Sequence, residues 1–347
     1  MRLRHLSIPA VAIVSLILSF CSVSTETVIQ GVLNSAATAP VFLDCRAASS
    51  NEICFSFSRP VRLVSLILEP AAELLSVTEG EELVITLARP FREGESIVAD
   101  ILVEDEHRNT LNVLIPLRAR NDRTPRILIN ELRTEYAGAT KTAPARSEYI
   151  EFITRSAGNL GALRLFITGT SPSLPVFEFP PAEVGADEYI VLHLRTLDSE
   201  CIDETGDDLG LSGGAEAIPD VRDFWVPGTT KLLHKTDAVY LLDQDDRIVD
   251  AVLLSEKADP SWSKPVFAAA ADFFASQGAW QKRGESNTPG TYVLAPSDAL
   301  ISAGTTATRT VCRDETLESG GRAENWYITA TSSASPGKSN NPKRYVP

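Results

Sequence analysis

The sequence predicts an all-β protein built from two successive β-sandwich domains. Three observations carry that reading. From about residue 41 to 120, short β-branched or apolar runs recur every 10–15 residues between turn signals. From Ile127 the apolar/polar alternation resumes and returns as late as Trp326. Between the two series lies Arg118–Arg126, a charged break with no apolar residue except Ala119.

Arg2, Arg4 and His5 precede an uncharged run of 15 residues, Leu6–Phe20, followed by small residues. That order predicts a signal peptide over residues 1–21, since a spanning helix needs about 20 apolar residues. Leu18-Ser19-Phe20-Cys21 reads as a relaxed lipobox that would lipidate Cys21, as with palmitate, although Phe20 stands where a small residue is usual. Cleavage after Ser22-Val23-Ser24 is the alternative. Residues 22–40, rich in Ser, Thr, Ala and Asn, read as a tether.

The first sandwich is expected over 41–120. Its strands are Val41–Arg46, Glu52–Phe57, Val61–Leu68, Glu82–Ala88, Ser96–Val103 and Thr110–Arg118, the last two forming a hairpin. The second domain is expected over 126–342. Its strands begin at Ile127, Tyr149, Leu163, Val176, Tyr189, Ala238, Ile248 and Trp326, with Asp243–Asp246 as a hairpin turn. Pro265–Gln277 is the one convincing helix, an insertion ended by Gly278.

Without residues 1–20 the chain carries 30 basic against 46 acidic residues, a net of −16. Such a surface repels phosphate backbones and argues against nucleic acid, and against anionic lipid unless an acyl chain anchors the protein. The arginines of 118–126 form the one basic patch and are expected to pair with nearby carboxylates. Beyond the signal, Cys45, Cys54, Cys201 and Cys312 make an even count, which in an exported chain points to disulfides. Of the three connectivities, Cys45–Cys54 with Cys201–Cys312 keeps each bridge within one domain, the latter closing a loop of about 110 residues and adding about 4–5 kcal/mol. No C-x-x-C spacing supports zinc.

Asp203, Glu204, Asp207 and Asp208 cluster beside Gly206 and Gly210, a composition suited to calcium but without the alternating spacing of an EF-hand. A solvated acidic loop is the simpler reading, and no other cofactor is indicated. His107, His193 and His234 lack paired-ligand spacing. No G-x-S-x-G or H-E-x-x-H occurs, and Leu209-Gly-Leu-Ser-Gly-Gly lacks the Lys-Ser/Thr of a phosphate loop, so no catalytic residue is assigned. Phe179-Pro180-Pro181 and Phe224-Trp225 are candidate exposed contacts, with Trp225 equally suited to the core.

Arg126–Leu132 with Glu148-Tyr-Ile-Glu-Phe152 at one end, and Trp326-Tyr-Ile-Thr with Ser335-Pro-Gly-Lys-Ser-Asn340 at the other, resemble the lamin-tail domain. Phe177-Glu-Phe-Pro180 and the Tyr189 strand fit the same pattern, while Asn287-Thr-Pro-Gly290 partly duplicates its ending and leaves the last family strand open. The resemblance implies an immunoglobulin-like sandwich, with the first domain taken as a second one, and a binding or scaffolding module in place of an active site. It also implies that Glu131 and Glu151 are structural and bond loop amides. The expected function is a non-catalytic binding or scaffolding lipoprotein on the outer side of a cell-envelope membrane, with an adhesin as one form of it. Its expected partner is envelope or extracellular protein or polysaccharide; a secreted or periplasmic form is the alternative location. The rival class is an exported metal-dependent hydrolase or its accessory subunit.

Overall fold

The computed structural model describes residues 38–317 and 321–347, so the signal peptide, Cys21 and nearly all of the tether lie outside the described residues. It is mostly β, with 38% strand and 6% helix, as expected. The described residues divide into two units: 38–90 with Ser96–Leu117, and Phe91–Glu95 with Arg118–Pro347.

The first unit contains β1 (Phe42–Ser49), β2 (Glu52–Glu69), β3 (Leu74–Thr78), β4 (Gly80–Leu87), β5 (Ser96–Glu104) and β6 (Thr110–Arg118). They form one sheet in the order β3-β4-β2-β5-β6, with β1 added to β2. The 18-residue β2 joins the two expected strands at Glu52 and Val61 into one. Its first half pairs with β1 and β4 and its second half with β5. Strict alternation in β5 places Ile97, Ala99, Ile101 and Val103 in the core. The β5–β6 turn is organised by buried Asp105, which accepts from His107 N and Asn109 N at 2.9 Å each.

The expected disulfides are not formed; all four described cysteines are free thiols. Register explains the first pair. Cys45 stands opposite Phe55 and Cys54 opposite Arg46, so the two thiols point to opposite faces of the sheet. Cys201 and Cys312 have separate surroundings. Cys312 lies buried in a sheet near Thr310 Oγ1, whereas Cys201 Sγ faces Asp198 Oδ1 in the acidic loop.

The second unit has two larger sheets around one hydrophobic core. The first runs β14 (Arg222–Trp225), β13 (Tyr189–His193), β8 (Tyr149–Thr154), β7 (Ile127–Arg133), β18 (Val311–Arg313), β19 (Trp326–Ile328). The second runs β11 (Phe177–Glu178), β10 (Arg164–Ile167), β15 (Asp237–Leu242), β16 (Ile248–Ser255), β17 (Leu300–Ile301). A short pair, β9 (Gly158–Asn159) with β12 (Glu183–Val184), stands apart. Helix α1 (Pro265–Gln277) ends at Gly278 with φ 70° as expected, and buries Phe267, Ala271 and Phe274. Phe179 and Phe224, candidates for exposed contacts, are instead fully buried; they form an edge-to-face cluster with Phe152 and Phe177. Three of the four arginines of the charged break are paired within this unit, Arg118 with Glu178, Arg120 with Asp245 and Arg123 with Glu93 and Glu183.

Candidate functional site

Two constructions in the second unit use charge in opposite ways. The first begins with a spacing in β7. Ile127, Ile129 and Leu132 are all fully buried, yet period-two alternation from Ile129 would send Glu131, not Leu132, into the core. A bulge at Asn130 resolves the conflict: Ile129 opposes Phe152 and Glu131 opposes Glu151. Leu132 thereby returns to the core, and the two glutamates share the other face. The backbone of Ile129 at the bulge is completed by side chains: its N–H donates to Asp250 Oδ2 at 2.7 Å, and its carbonyl accepts from Arg313 Nε at 2.7 Å.

The glutamate face is closed by the C-terminal segment. Ser335 donates its N–H to Glu131 Oε2 at 3.1 Å and its hydroxyl to the same oxygen at 3.3 Å; Thr310 Oγ1 also donates to Glu131. Gly337 N–H donates to Glu151, whose other oxygen accepts from Asn130 Nδ2 at 2.8 Å. Asn340 Nδ2 reaches the Arg313 carbonyl at 3.0 Å. Gly337 has φ 81°, and a Cβ there would meet Val221 Cγ2 at 2.6 Å, so only glycine fits. Burial pushes the carboxyls of both Glu131 and Glu151 up, and for Glu151 the neighbouring Glu131 adds to the effect. This clasp is structural, in keeping with the expectation that these glutamates bond loop amides.

The acidic loop is tied down similarly. Glu204, nearly fully buried, accepts from Ser212 N at 3.0 Å and Asp223 N at 2.9 Å. Asp203 accepts from Trp225 N at 2.8 Å, and burial pushes its carboxyl up. Asp208 accepts from Gly210 N at 3.1 Å within its own turn, and Asp207 is exposed. Asp203, Glu204 and Asp208 therefore aim at different amides, and no group of three or more potential ligands is gathered among the described residues. The Gly-rich run packs against Trp225, whose Nε1–H donates to Ser212 Oγ at 2.9 Å. His193 is buried, stacked on Trp225 with ring centres 3.9 Å apart and bonded through Nε2 to Asp223 at 2.9 Å.

The second construction is a cleft of about 440 Å3 at one end of the β10-β15-β16 sheet. It is lined by Glu135, Gly169, Lys231, His234, Lys235, Thr236, Glu256, Ser263, Lys264 and Phe267, which come from the ends of β7, β10 and β16, the approach to β15 and the start of α1. Asp237 organises its base, accepting from Gly169 N at 2.7 Å, Ala238 N at 3.0 Å and His234 N at 3.2 Å. A Cβ at residue 169 would meet Asp237 Oδ2 at 2.7 Å, so the carboxylate needs a glycine beside it. Lys231 Nζ lies 2.9 Å from Glu135, whereas Lys264 is exposed. A smaller hollow of about 190 Å3 shares Thr236, Glu256 and Ser263 and adds Lys257 and Trp262. Half of the chain's eight lysines thus border one depression. Sequence reading singled out His234 but not the lysines; their concentration between 231 and 264 was the available signal.

Comparisons with known proteins bear on identity. A family model, TP_1001_2nd, described as a protein second domain, matches residues 125–328. An uncharacterized protein of Treponema pallidum (strain Nichols) is 27% identical over 249 residues, 67% of this chain, which spans 60% of that protein's length. Among solved structures, surface layer protein SbsC domains 1–6 is 11% identical with TM-score 0.25, covering 68% of this chain and 43% of that one. A DUF4876 family protein from Bacteroides thetaiotaomicron is 11% identical with TM-score 0.28, covering 83% and 92%. Similarities of that size establish neither fold nor function. The lamin-tail resemblance is overturned, because the residues that carried it fall to a different family. Its quoted positions were alternating strands and a Pro-Gly turn, which any two-sheet β domain can supply, and the ground for an immunoglobulin-like topology goes with it. The match covers more than half of the 347 residues, and the chain belongs to the TP_1001_2nd family.

Proposed function

We propose that this protein is an exported, lipid-anchored binding or scaffolding protein of the cell envelope, without catalytic activity of its own. The observation that carries the reading is how the second unit spends its reactive side chains. Glu131, Glu151, Glu204 and the His193–Asp223 pair are buried and bonded to backbone or to one another. That use fixes loops on a rigid double sheet, the arrangement by which binding scaffolds present a surface. The basic-then-apolar order of residues 2–20, with Cys21 behind it, supports export and anchoring.

Palmitate labelling of the wild type and of Cys21→Ala, with fractionation of cells, tests the placement. Label on the wild type alone, and release of the variant from membranes, is expected; an unlabelled wild type removes the anchor. Envelope protein and polysaccharide extracts passed over the immobilised protein are expected to yield a saturable partner. Calcium-dependent hydrolysis abolished by Asp207→Ala would overturn the non-catalytic reading.

A further inference from the structure

We infer that the lysine-bordered cleft at the end of the β10-β15-β16 sheet is a binding site for a phosphate ester carried on a sugar-sized polyol. The inference deepens the binding reading and rests on it for the source of the ligand. Four features of the cleft converge. Lys231, Lys235 and Lys264 line it and Lys257 borders the adjoining hollow, while Glu135 and Glu256, Asp237 at the base and Asp259 in the hollow stand against them, so four ammoniums meet four carboxylates in a chain of net charge −14. No arginine lines it, although the chain holds 24 arginines to 8 lysines. Lysine offers a compact charge with three rotatable donors, suited to a tetrahedral oxyanion, whereas the flat arginine fork suits bidentate pairing.

The third feature is the start of α1, a 13-residue helix whose first turn contributes Phe267 and whose N-cap Lys264 also lines the cleft. No side chain caps this helix and no acidic residue occupies its first turn, so the positive end of its dipole is left for a ligand to neutralise. The fourth is the adjoining hollow. Its Trp262 ring is held by a bond from Nε1–H to the Leu294 carbonyl at 2.9 Å, and the hydroxyls of Ser255, Thr236, Ser261 and Ser263 stand around it. A phosphate between Lys235 and Lys264 would leave its polyol against this aromatic and hydroxylated wall. The main cleft alone falls within the usual range for small-molecule sites.

Calorimetric titration of the full chain decides the matter. The probes are inorganic phosphate, glucose 6-phosphate, glucose, and phosphatidylglycerol vesicles. Saturable, salt-sensitive binding of glucose 6-phosphate, tighter than that of phosphate and absent for glucose, is expected. Lys235→Gln/Lys264→Gln should weaken it at least tenfold, while Lys141→Gln, away from the cleft, should leave it unchanged. Binding to vesicles in place of the sugar phosphate, with the same loss in the double variant, keeps the phosphate chemistry and assigns a lipid headgroup as its source. No saturable binding of any phosphate probe, or binding untouched by the double variant, overturns the site. Capture of an envelope partner that survives the double variant would sink the cleft and spare the binding reading; a wild type that binds glucose 6-phosphate but captures no envelope partner would do the reverse.

Discussion

The glutamate face of β7 and β8 and the lysine-bordered cleft treat charge in contrary ways, and the contrast separates what holds this protein from what it can offer. Glu131 and Glu151 are fully buried with their hydrogen bonds directed inward, to Ser335, Gly337, Thr310 and Asn130. Their desolvation is tolerated because donors are fixed in advance. In the cleft the buried acid, Asp237, is likewise filled by backbone amides, but the lysines above it remain at the surface. Carboxylates fix the backbone in both places; in the cleft the lysines make lighter contacts, Lys231 with Glu135, Lys235 with the Ala303 carbonyl and Lys264 with the Phe267 ring.

The sharpest way to break that contrast is Glu131→Ala. It strands the buried Ser335 amide without an acceptor and removes one partner of the Thr310 hydroxyl, and is expected to cost about 3 kcal/mol in a urea titration. A loss indistinguishable from zero would mean that the C-terminal segment is not held by this acid. Next in size is Gly169→Ala, which forces a methyl against the Asp237 carboxylate and should cost about 2 kcal/mol. Retained stability there would show that the base of the cleft is plastic.

A smaller effect concerns pH. Burial raises the folded-state values of Glu131 and Glu151 above an unfolded carboxyl of about 4.3. Their stabilising contribution is therefore full below about pH 4 and is lost as pH rises through the raised folded values. Glu93, Glu183 and Asp245 run the other way, since bonds to Arg123 and Arg120 hold them low. Their contribution is present above the unfolded value and is lost as pH falls through the folded one. Melting profiles should then show Glu151→Gln flattening the decline toward neutral pH, and Arg123→Ala flattening the acid side. Smallest of all, Lys235→Gln and Lys264→Gln should each leave stability within about 0.5 kcal/mol of the wild type. A larger loss would make these lysines part of the fold and end the contrast.

Legibility followed the range of the interaction. The helix and its glycine stop, the Asp243 hairpin and the strands opening at Ile127 and Tyr149 were visible because apolar period and turn chemistry act over a few residues. Phe179 and Phe224 misled because Phe-Pro and Phe-Trp look alike in a loop and in a cluster; only the sheet that brings them beside Phe152 decides. The Cys45–Cys54 pairing failed on a single step of register, which no count of thiols reveals. Family assignment failed for a related reason: alternation identifies strands, not the order in which they pair.

By itself the sequence determined a β-rich chain with a helix at Pro265–Gln277, a break near Arg118 and a strongly acidic balance. Each of these follows from composition or local period. Tertiary structure alone decided that a bulge at Asn130 would turn Glu131 away from the core, that residues 200 positions later would close over it, and that lysines from separate loops would meet at one sheet end. Those outcomes depend on which distant backbone amides lie within 3 Å of a given carboxylate. The packing of two sheets fixes that distance, and no short window of residues contains it.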